Sequence, residues 1–448
     1  MGSGKMDKRY DVVVIGGGIA GVSSAIAASR QGARVLLLEK SMSFGGVLTT
    51  ALVNPMMTFH SPVRQVIGGI GQEIVDRLIG MEGSFGHIDD PIGFVSSITP
   101  FDPEKLKSVL ICMLKEAGVN YMFGALVTDV FSKNRFVREV EVSTQSCRFT
   151  IKGSVFVDST GEGNLSIRAG AGYFKGDGDQ TSCQPMTLVM RIRGVDREVI
   201  TSYVKDHRED FVLSDTTDLS YLGIAGFFSF MPRLRKYAVS FKRDRLLFFE
   251  IPSHPGEVFM NTTRYPGDGS NVIELTEAQS KGNCDVWKFM EFLKNEIPGF
   301  SNTALVQTGC SIGVRETTHV VGDYVIKVDD LLKRKQFADS IAVGAYPVDL
   351  HMPGSEGLKT MKIPFPGEYY VPLRALFPTG IENVVLAGRA LSAEHLAFSA
   401  LRTSPLASAT GMAAGICAAM SLGSGLKVRE VPFGSVQREI VRMGGIFE

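Results

Sequence analysis

Apolar runs punctuated by glycine set the pattern at the start of this chain. Asp11 to Ile15 is a short stretch rich in Val and Ile without polar alternation, the signature of a strand buried on both faces of a parallel sheet. A helix follows from Ile19 to Gln31 and stops at Gly32, a natural C-terminal cap. A second buried strand spans Ala33 to Leu38 and ends in Glu39. Between the first strand and the helix, Gly16, Gly18 and Gly21 spell G-x-G-x-x-G. The first glycine permits the tight turn, the second lets a pyrophosphate approach the backbone, and the third lets helix and strand pack closely. The helix N-terminus offers unpaired N–H groups to phosphate, and the acid closing the second strand suits ribose hydroxyls. Strand, glycines, helix, strand and acid in one unit predict an adenine dinucleotide site.

Further along, Asp102 to Ala117 reads as an amphipathic helix with Asp102 as cap, Pro103 in the first turn and Gly118 beyond its end. Strand-like runs include Arg138–Val142 and Val155–Val157, followed by the turn DSTGEGNLSIRAGA from Asp158. The texture changes near Thr181. Met186–Ile192, Tyr237–Phe241 and Leu246–Ile251 read as strands and Val286–Glu296 as a helix, an α+β pattern with an antiparallel sheet. Asn383–Ala387 is an apolar strand that returns to the nucleotide unit. These shifts predict a discontinuous α/β nucleotide domain, residues 6–180 and 305–448, with a substrate domain, residues 181–304, inserted between.

Composition narrows the class. The 448 residues exceed one simple core, and the 47 basic and 47 acidic residues cancel, which disfavours a nucleic-acid partner. Six scattered cysteines without a C-x-x-C pair suggest neither zinc nor an iron–sulfur cluster, so no metal is expected; reduced thiols fit a cytoplasmic location. The N-terminus carries no secretory pattern, and Met1 to Lys5 reads as a vector-derived scar. Leu406 to Leu422 is apolar but built from Ala, Gly and Ser, so a buried core helix is expected there and no membrane span.

Several segments together resemble known flavoproteins. DSTGEGNLSIRAGA at Asp158–Ala171 resembles the strand-end turn of glutathione-reductase-type proteins, and AGRALSAEHLAFSALRTSPLASATGMAAG at Ala387–Gly415 resembles their C-terminal flavin motif. With NTTRYPGD at Asn261–Asp268, CSIGVRETTHVVGDYVI at Cys310–Ile326 and AVGAYPVDLH at Ala342–His351, nearly the whole chain is similar to the FAD-dependent oxidoreductase family. That family is akin to fumarate-reductase and heterodisulfide-reductase flavoproteins. The resemblance implies a Rossmann-like FAD-binding domain and FAD as cofactor. Gly16, Gly18, Gly21, Glu39 and Lys40 would hold the ADP half, Val127 would lie near the adenine, and Gly45 and Gly46 would approach the flavin. Asp158, Thr160, Gly161, Gly388 and Arg389 would sit by the pyrophosphate and ribitol. Gly411 and Gly415 would belong to a small-residue helix whose N-terminus faces the isoalloxazine. Ser159 and Glu162 stand where the common turn has Ala and Asp, and the cluster cysteines of the heterodisulfide-reductase relatives are missing.

The cofactor carries the redox chemistry, so the protein must place a substrate carbon and manage a proton. Asp349 and His351 alternate on one strand, share a face and read as an oriented pair, with His351 as candidate general base. Arg402 is the candidate for stabilising the reduced flavin or clamping a substrate carboxylate, against a helix-capping or interdomain ion pair, and His395 is a weaker catalytic candidate that reads equally as packing. Arg315 and Glu316 read as an internal salt bridge, while Asn54 and His60 are expected at the surface unless they line the pocket. No second nucleotide fingerprint exists, since Gly68–Gly71 has no strand leading into it. Electrons would therefore pass to oxygen, a diffusing acceptor or another protein. The expected activity is hydride transfer between a polar small molecule and flavin N5. A flavin monooxygenase is the alternative, although the single Trp287 excludes a W-x-W-x-I-P halogenase segment. A non-catalytic dinucleotide protein presenting a partner surface is the rival from another class. Substrate, acceptor and assembly, including a homo-oligomer, stay open at this point.

Overall fold

The computed structural model describes residues 9–178, 183–215, 217, 219–352 and 357–448. The segment Met1–Lys5, read from the sequence as a scar, and the boundary expected at residue 180 lie outside the described residues.

The opening pattern forms the unit expected of it. Strand Arg9–Ile15 is followed by helix Ile19–Arg30 and strand Val35–Leu38. The two strands pair in parallel, and Val12, Val13, Val14, Leu36 and Leu37 are fully buried, which explains why no polar residue interrupts either run. Around them a seven-stranded sheet runs Asn120–Met122, Val35–Leu38, Arg9–Ile15, Arg148–Asp158, Phe136–Ser143, Leu126–Lys133. The eleven-residue strand Arg148–Asp158 divides its partners. Its first half pairs antiparallel with Phe136–Ser143, and Phe156 to Asp158 pair in parallel with Val384–Leu386. Register then aligns one row across the sheet: Leu38 beside Ile15, Ile15 beside Asp158, Asp158 beside Leu386. Met122 extends this row beside Leu38, so five parallel strands end side by side, and the loops leaving them share one edge.

Helix Ser404–Ser424 covers this sheet against helix Ile19–Arg30. By length and composition it could span a membrane, but most of it is buried inside the protein, as its Ala, Gly and Ser content predicts. Its glycines have a packing reason. A Cβ on Gly411 would lie 2.3 Å from the Ala20 carbonyl oxygen, and one on Gly415 would lie 2.2 Å from that of Ser24. The close approach lets the Ser24 hydroxyl donate to the Gly411 carbonyl at 2.7 Å, while the Ser23 and Ser408 hydroxyls pair at 2.9 Å.

A second core extends from Met186 to Val314. Its six strands are all antiparallel, in the order Phe211–Val212, Gly223–Gly226, Leu246–Ile251, His254–Met260, Met190–Arg193, Ala304–Thr308. Helix Val272–Glu296 buries Phe289, Phe292 and Leu293 in the same core. Three expectations fail here. Tyr237–Phe241 is no strand: Pro232 opens a 3-10 helix, Met231–Tyr237, and Ala238 leaves it in the left-handed region at φ 52°. The strand expected from Met186 is regular only over Met190–Arg193. The helix expected at Val286 begins fourteen residues earlier, capped by the Asn271 side chain on the Ile273 N–H. Within it, Gly282 sits where a Cβ would press on Leu188 at 2.9 Å.

Candidate active site

The glycine loop leaves the first strand at the edge where the five parallel strands end. Gly16 has φ +101°, and a Cβ there would strike the Ser159 carbonyl oxygen at 2.5 Å. A Cβ on Gly21 would fall 1.8 Å from the Gly16 oxygen, so both residues are small for packing reasons. Gly18 differs: its Cβ would meet nothing nearer than the Gly46 Cα at 4.0 Å. Space therefore opens over the second glycine, where a pyrophosphate must approach backbone. Gly45 closes the other side, donating its N–H to the Gly17 carbonyl at 2.9 Å, and both Gly45 and Gly46 have positive φ.

Glu39 is buried and braces the loop, accepting from the Gly17 N–H and from the backbone and hydroxyl of Ser41. Its carbonyl accepts from Ala125, which brings Val127 into the neighbourhood, whereas Lys40 is exposed. Asp158 is fully buried and is consumed by its own turn. One oxygen accepts from Thr160 and the other from the backbone and hydroxyl of Ser166. Burial raises its pKa against those bonds. Gly161 lies under Arg389, whose Nη2 donates to Glu162 at 2.8 Å and whose buried Nη1 has no partner. Gly388 donates its N–H to the Thr410 hydroxyl. An open glycine, a positively charged donor lacking an acceptor, and converging strand ends fit an adenine dinucleotide carrying a diphosphate. Gly411 and Gly415 stand apart from this edge. They lie two or more turns into a helix that starts at Ser404, facing helix Ile19–Arg30, so their smallness serves helix packing.

The second group of residues gathers on strand Val348–His351. Asp349 Oδ2 lies 3.3 Å from His351 Nε2, 3.4 Å from Arg402 Nη2 and 3.1 Å from the Tyr346 hydroxyl. The alternation expected to pair Asp349 with His351 is present. His351 Nδ1 lies 2.8 Å from Arg264 Nη2. A guanidinium only donates, so Nδ1 must accept, the proton sits on Nε2 toward Asp349, and the imidazole is neutral. Burial, then the charge of Arg315, hold the His351 pKa well below its ordinary value despite Asp349. Burial alone would raise Asp349, but His351 and Arg402 together keep it ionised, below the usual carboxylate range.

His395 belongs to a different cluster. Its Nδ1 lies 2.6 Å from Glu316 Oε1, which His319 Nε2 also reaches at 2.8 Å. These three side chains could by type hold a metal ion, but both ring nitrogens meet the same oxygen at hydrogen-bond distance. Glu316 therefore pairs with histidines, while Arg315 turns the other way to the Pro185 carbonyl and the Thr187 hydroxyl, contrary to the salt bridge expected between neighbours. The two clusters touch through Gln184, whose N–H donates to Glu316 and whose side-chain oxygen accepts from the His351 N–H.

Asn54 is buried rather than at the surface, its amide donating to the Phe101 carbonyl at 2.7 Å. His60 is half-buried beside Ser97. Arg243, Arg264, Gln184 and Tyr346 were not singled out in the sequence. Arg243 lies in the charged run KRDR, yet its side chain is buried.

Comparison with known proteins settles the class. The chain matches the FAD dependent oxidoreductase family over residues 11–440. It belongs to that family. FAD is thus its cofactor. Thiamine thiazole synthase of Methanococcus aeolicus is 27% identical over 162 residues, covering 34% of this chain and 55% of that protein. Aklavinone 12-hydroxylase RdmE of Streptomyces purpurascens is 28% identical over 142 residues, 26% of each. The chain thus spans about half, or less, of these curated relatives. The crystal structure of halogenase PltM superposes with a TM-score of 0.50 at 12% identity, covering 96% of this chain and 73% of that one, a likeness of fold.

Proposed function

We propose that this family member is an FAD-dependent dehydrogenase or oxidase of a polar small molecule, with His351 as the proton acceptor. The observation that carries the reading is the neutral His351 held between Asp349 and Arg264. Bound FAD supplies the two-electron acceptor for hydride from the substrate carbon. Gly16, Gly18, Glu39, Gly45, Gly46, Val127, Gly161 and Arg389 would hold it.

The chain's own residues manage the proton. A neutral imidazole is the form of histidine that can take a proton from an O–H or N–H group. Asp349 fixes the ring and stabilises the charge that forms on it, as an orienting carboxylate does. Nδ1 becomes free when Arg264 turns from His351 toward a bound substrate. Arg402, at the end of helix His395–Leu401, fixes Asp349 from the other side. The site borders the flavin-side loop: Ser311 donates to the Thr50 carbonyl, Thr50 donates to the Gly46 carbonyl, and Arg315 follows four residues after Ser311.

The test is anaerobic mixing of the FAD-loaded protein with candidate alcohols, amines and hydroxy acids, watching the visible flavin band. Bleaching by a substrate is expected, slowed at least about a hundredfold in His351→Asn with flavin content unchanged. Normal bleaching in that variant would overturn the role of His351. The sequence likeness to an aklavinone hydroxylase favours a second reading, a monooxygenase. That reading requires a separate reductant and places labelled dioxygen in the product.

A further inference from the structure

Four arginines from three separate chain regions converge on the Asp349–His351 strand. Arg264 holds His351, Arg402 reaches Asp349, and the charges of Arg243, Arg264 and Arg402 all act on Arg315. Asp349 and Asp244 are the carboxylates that oppose them, and Asp244 is itself paired with Arg245 at 2.6 Å. The group therefore carries excess positive charge inside the protein. Buried charge without compensation costs several kcal/mol per ion, by order of magnitude. Arg243 shows the imbalance most directly. It is only 8% exposed, and its Nε and Nη1 have no hydrogen-bond partner. Arg402 Nε and Gln184 Nε2 are buried donors in the same condition. Burial, followed by repulsion from Arg264, pushes the Arg243 pKa down to about 9.

We propose that Arg243, Arg264, Arg315 and Arg402 form the receptor for an anionic group on the substrate, either a carboxylate pair or a phosphate, of charge near −2. Guanidinium forks match the paired oxygens of both groups, and the unpartnered donors of Arg243, Arg402 and Gln184 supply the contacts. The ligand is then an organic acid or phosphoester whose oxidisable carbon lies within a few bonds of the anion. This rests on the oxidoreductase reading only in calling the ligand a substrate.

Oxalate and inorganic phosphate test the receptor separately from turnover, because neither has a C–H bond to give up hydride. The FAD-loaded full chain is titrated calorimetrically with each. Saturable binding of one anion per chain is expected for at least one probe, weakened tenfold or more in Arg243→Gln and in Arg402→Gln. The exposed Arg138→Gln serves as the unaffected control. Tighter oxalate assigns a carboxylate, and tighter phosphate a phosphoester. Absence of binding by both, or equal binding in the variants, overturns the proposal. Thermal unfolding gives a second reading that does not need the ligand. Arg243→Met, which removes an uncompensated buried charge, should melt no lower than wild type without anion. A clear loss of Tm would mark Arg243 as structural and overturn the proposal. Anion binding without any flavin bleaching in the substrate screen would refute the dehydrogenase or oxidase reading while leaving the receptor standing.

Discussion

Glu316 carries two histidines on one oxygen, and that geometry has a pH signature. Burial raises its pKa, but the bonds from His319 and His395 outweigh burial and bring it from 4.5 to about 2. A depressed carboxylate contributes stability that is complete above the unfolded value and is lost as pH falls toward the folded one. From pH 4.5 downward the unfolded chain binds a proton that the folded chain refuses. Between pH 7 and pH 3, wild type should lose about 2 kcal/mol more than Glu316→Gln, at roughly 1.4 kcal/mol per unit below 4.5. Urea unfolding of both proteins at the two pH values measures this, and parallel losses would refute it. The glycines make a sharper pair. Gly18→Ala has backbone angles open to any residue, φ −66° and ψ 177°, and free space for its methyl. It should fold with unchanged Tm as apoprotein yet retain FAD at least tenfold more weakly. Gly21→Ala would drive its methyl into the Gly16 oxygen and should fail to accumulate folded.

At the scale of elements, the contact between helices Ile19–Arg30 and Ser404–Ser424 is as close as the backbone allows. Gly415→Ala places a methyl 2.2 Å from the Ser24 oxygen, so a loss of about 1–3 kcal/mol is expected, read as a lowered Tm in apoprotein and holoprotein alike. Elements with a clean local pattern were legible in the sequence. The first strand and helix, and the helix capped by Asp102, lie within two residues of their expected bounds. The pair Asp349–His351 was legible because a strand's alternation puts both on one face. Legibility ended where meaning depended on distant packing. Gly282 and Gly415 are small because of Leu188 and Ser24, far away along the chain, and nothing beside them says so. Arg243 and Arg264 lie in the chain segment of the second core and come to Arg315 and Arg402 only through the fold, so no local pattern marked them.

Over the whole molecule, two cores supply one candidate site. The glycine edge belongs to the first core, while Arg243 and Arg264 come from the chain segment of the second. FAD should therefore stabilise unevenly. Hydrogen exchange with and without FAD should show strong protection at residues 16–21, 45–50, 158–163 and 388–390, and little change in strands Gly223–Gly226 and Leu246–Ile251. Uniform protection of both cores would show that they open as one unit.

The pairing of helices Ile19–Arg30 and Ser404–Ser424 also has a consequence in time. A ribosome makes the chain from the N-terminus, so helix Ile19–Arg30 emerges almost four hundred residues before the surface it packs against. Strand Arg9–Ile15 likewise waits for Arg148–Asp158. During synthesis the opening segment is an apolar strand and an Ala-rich helix without their cover. Nascent chains halted before Ser404 should be cut readily by protease near Ile19–Arg30, and chains released at full length should resist. The signature that is easiest to read in this sequence thus belongs to one of the last parts of the protein to become complete.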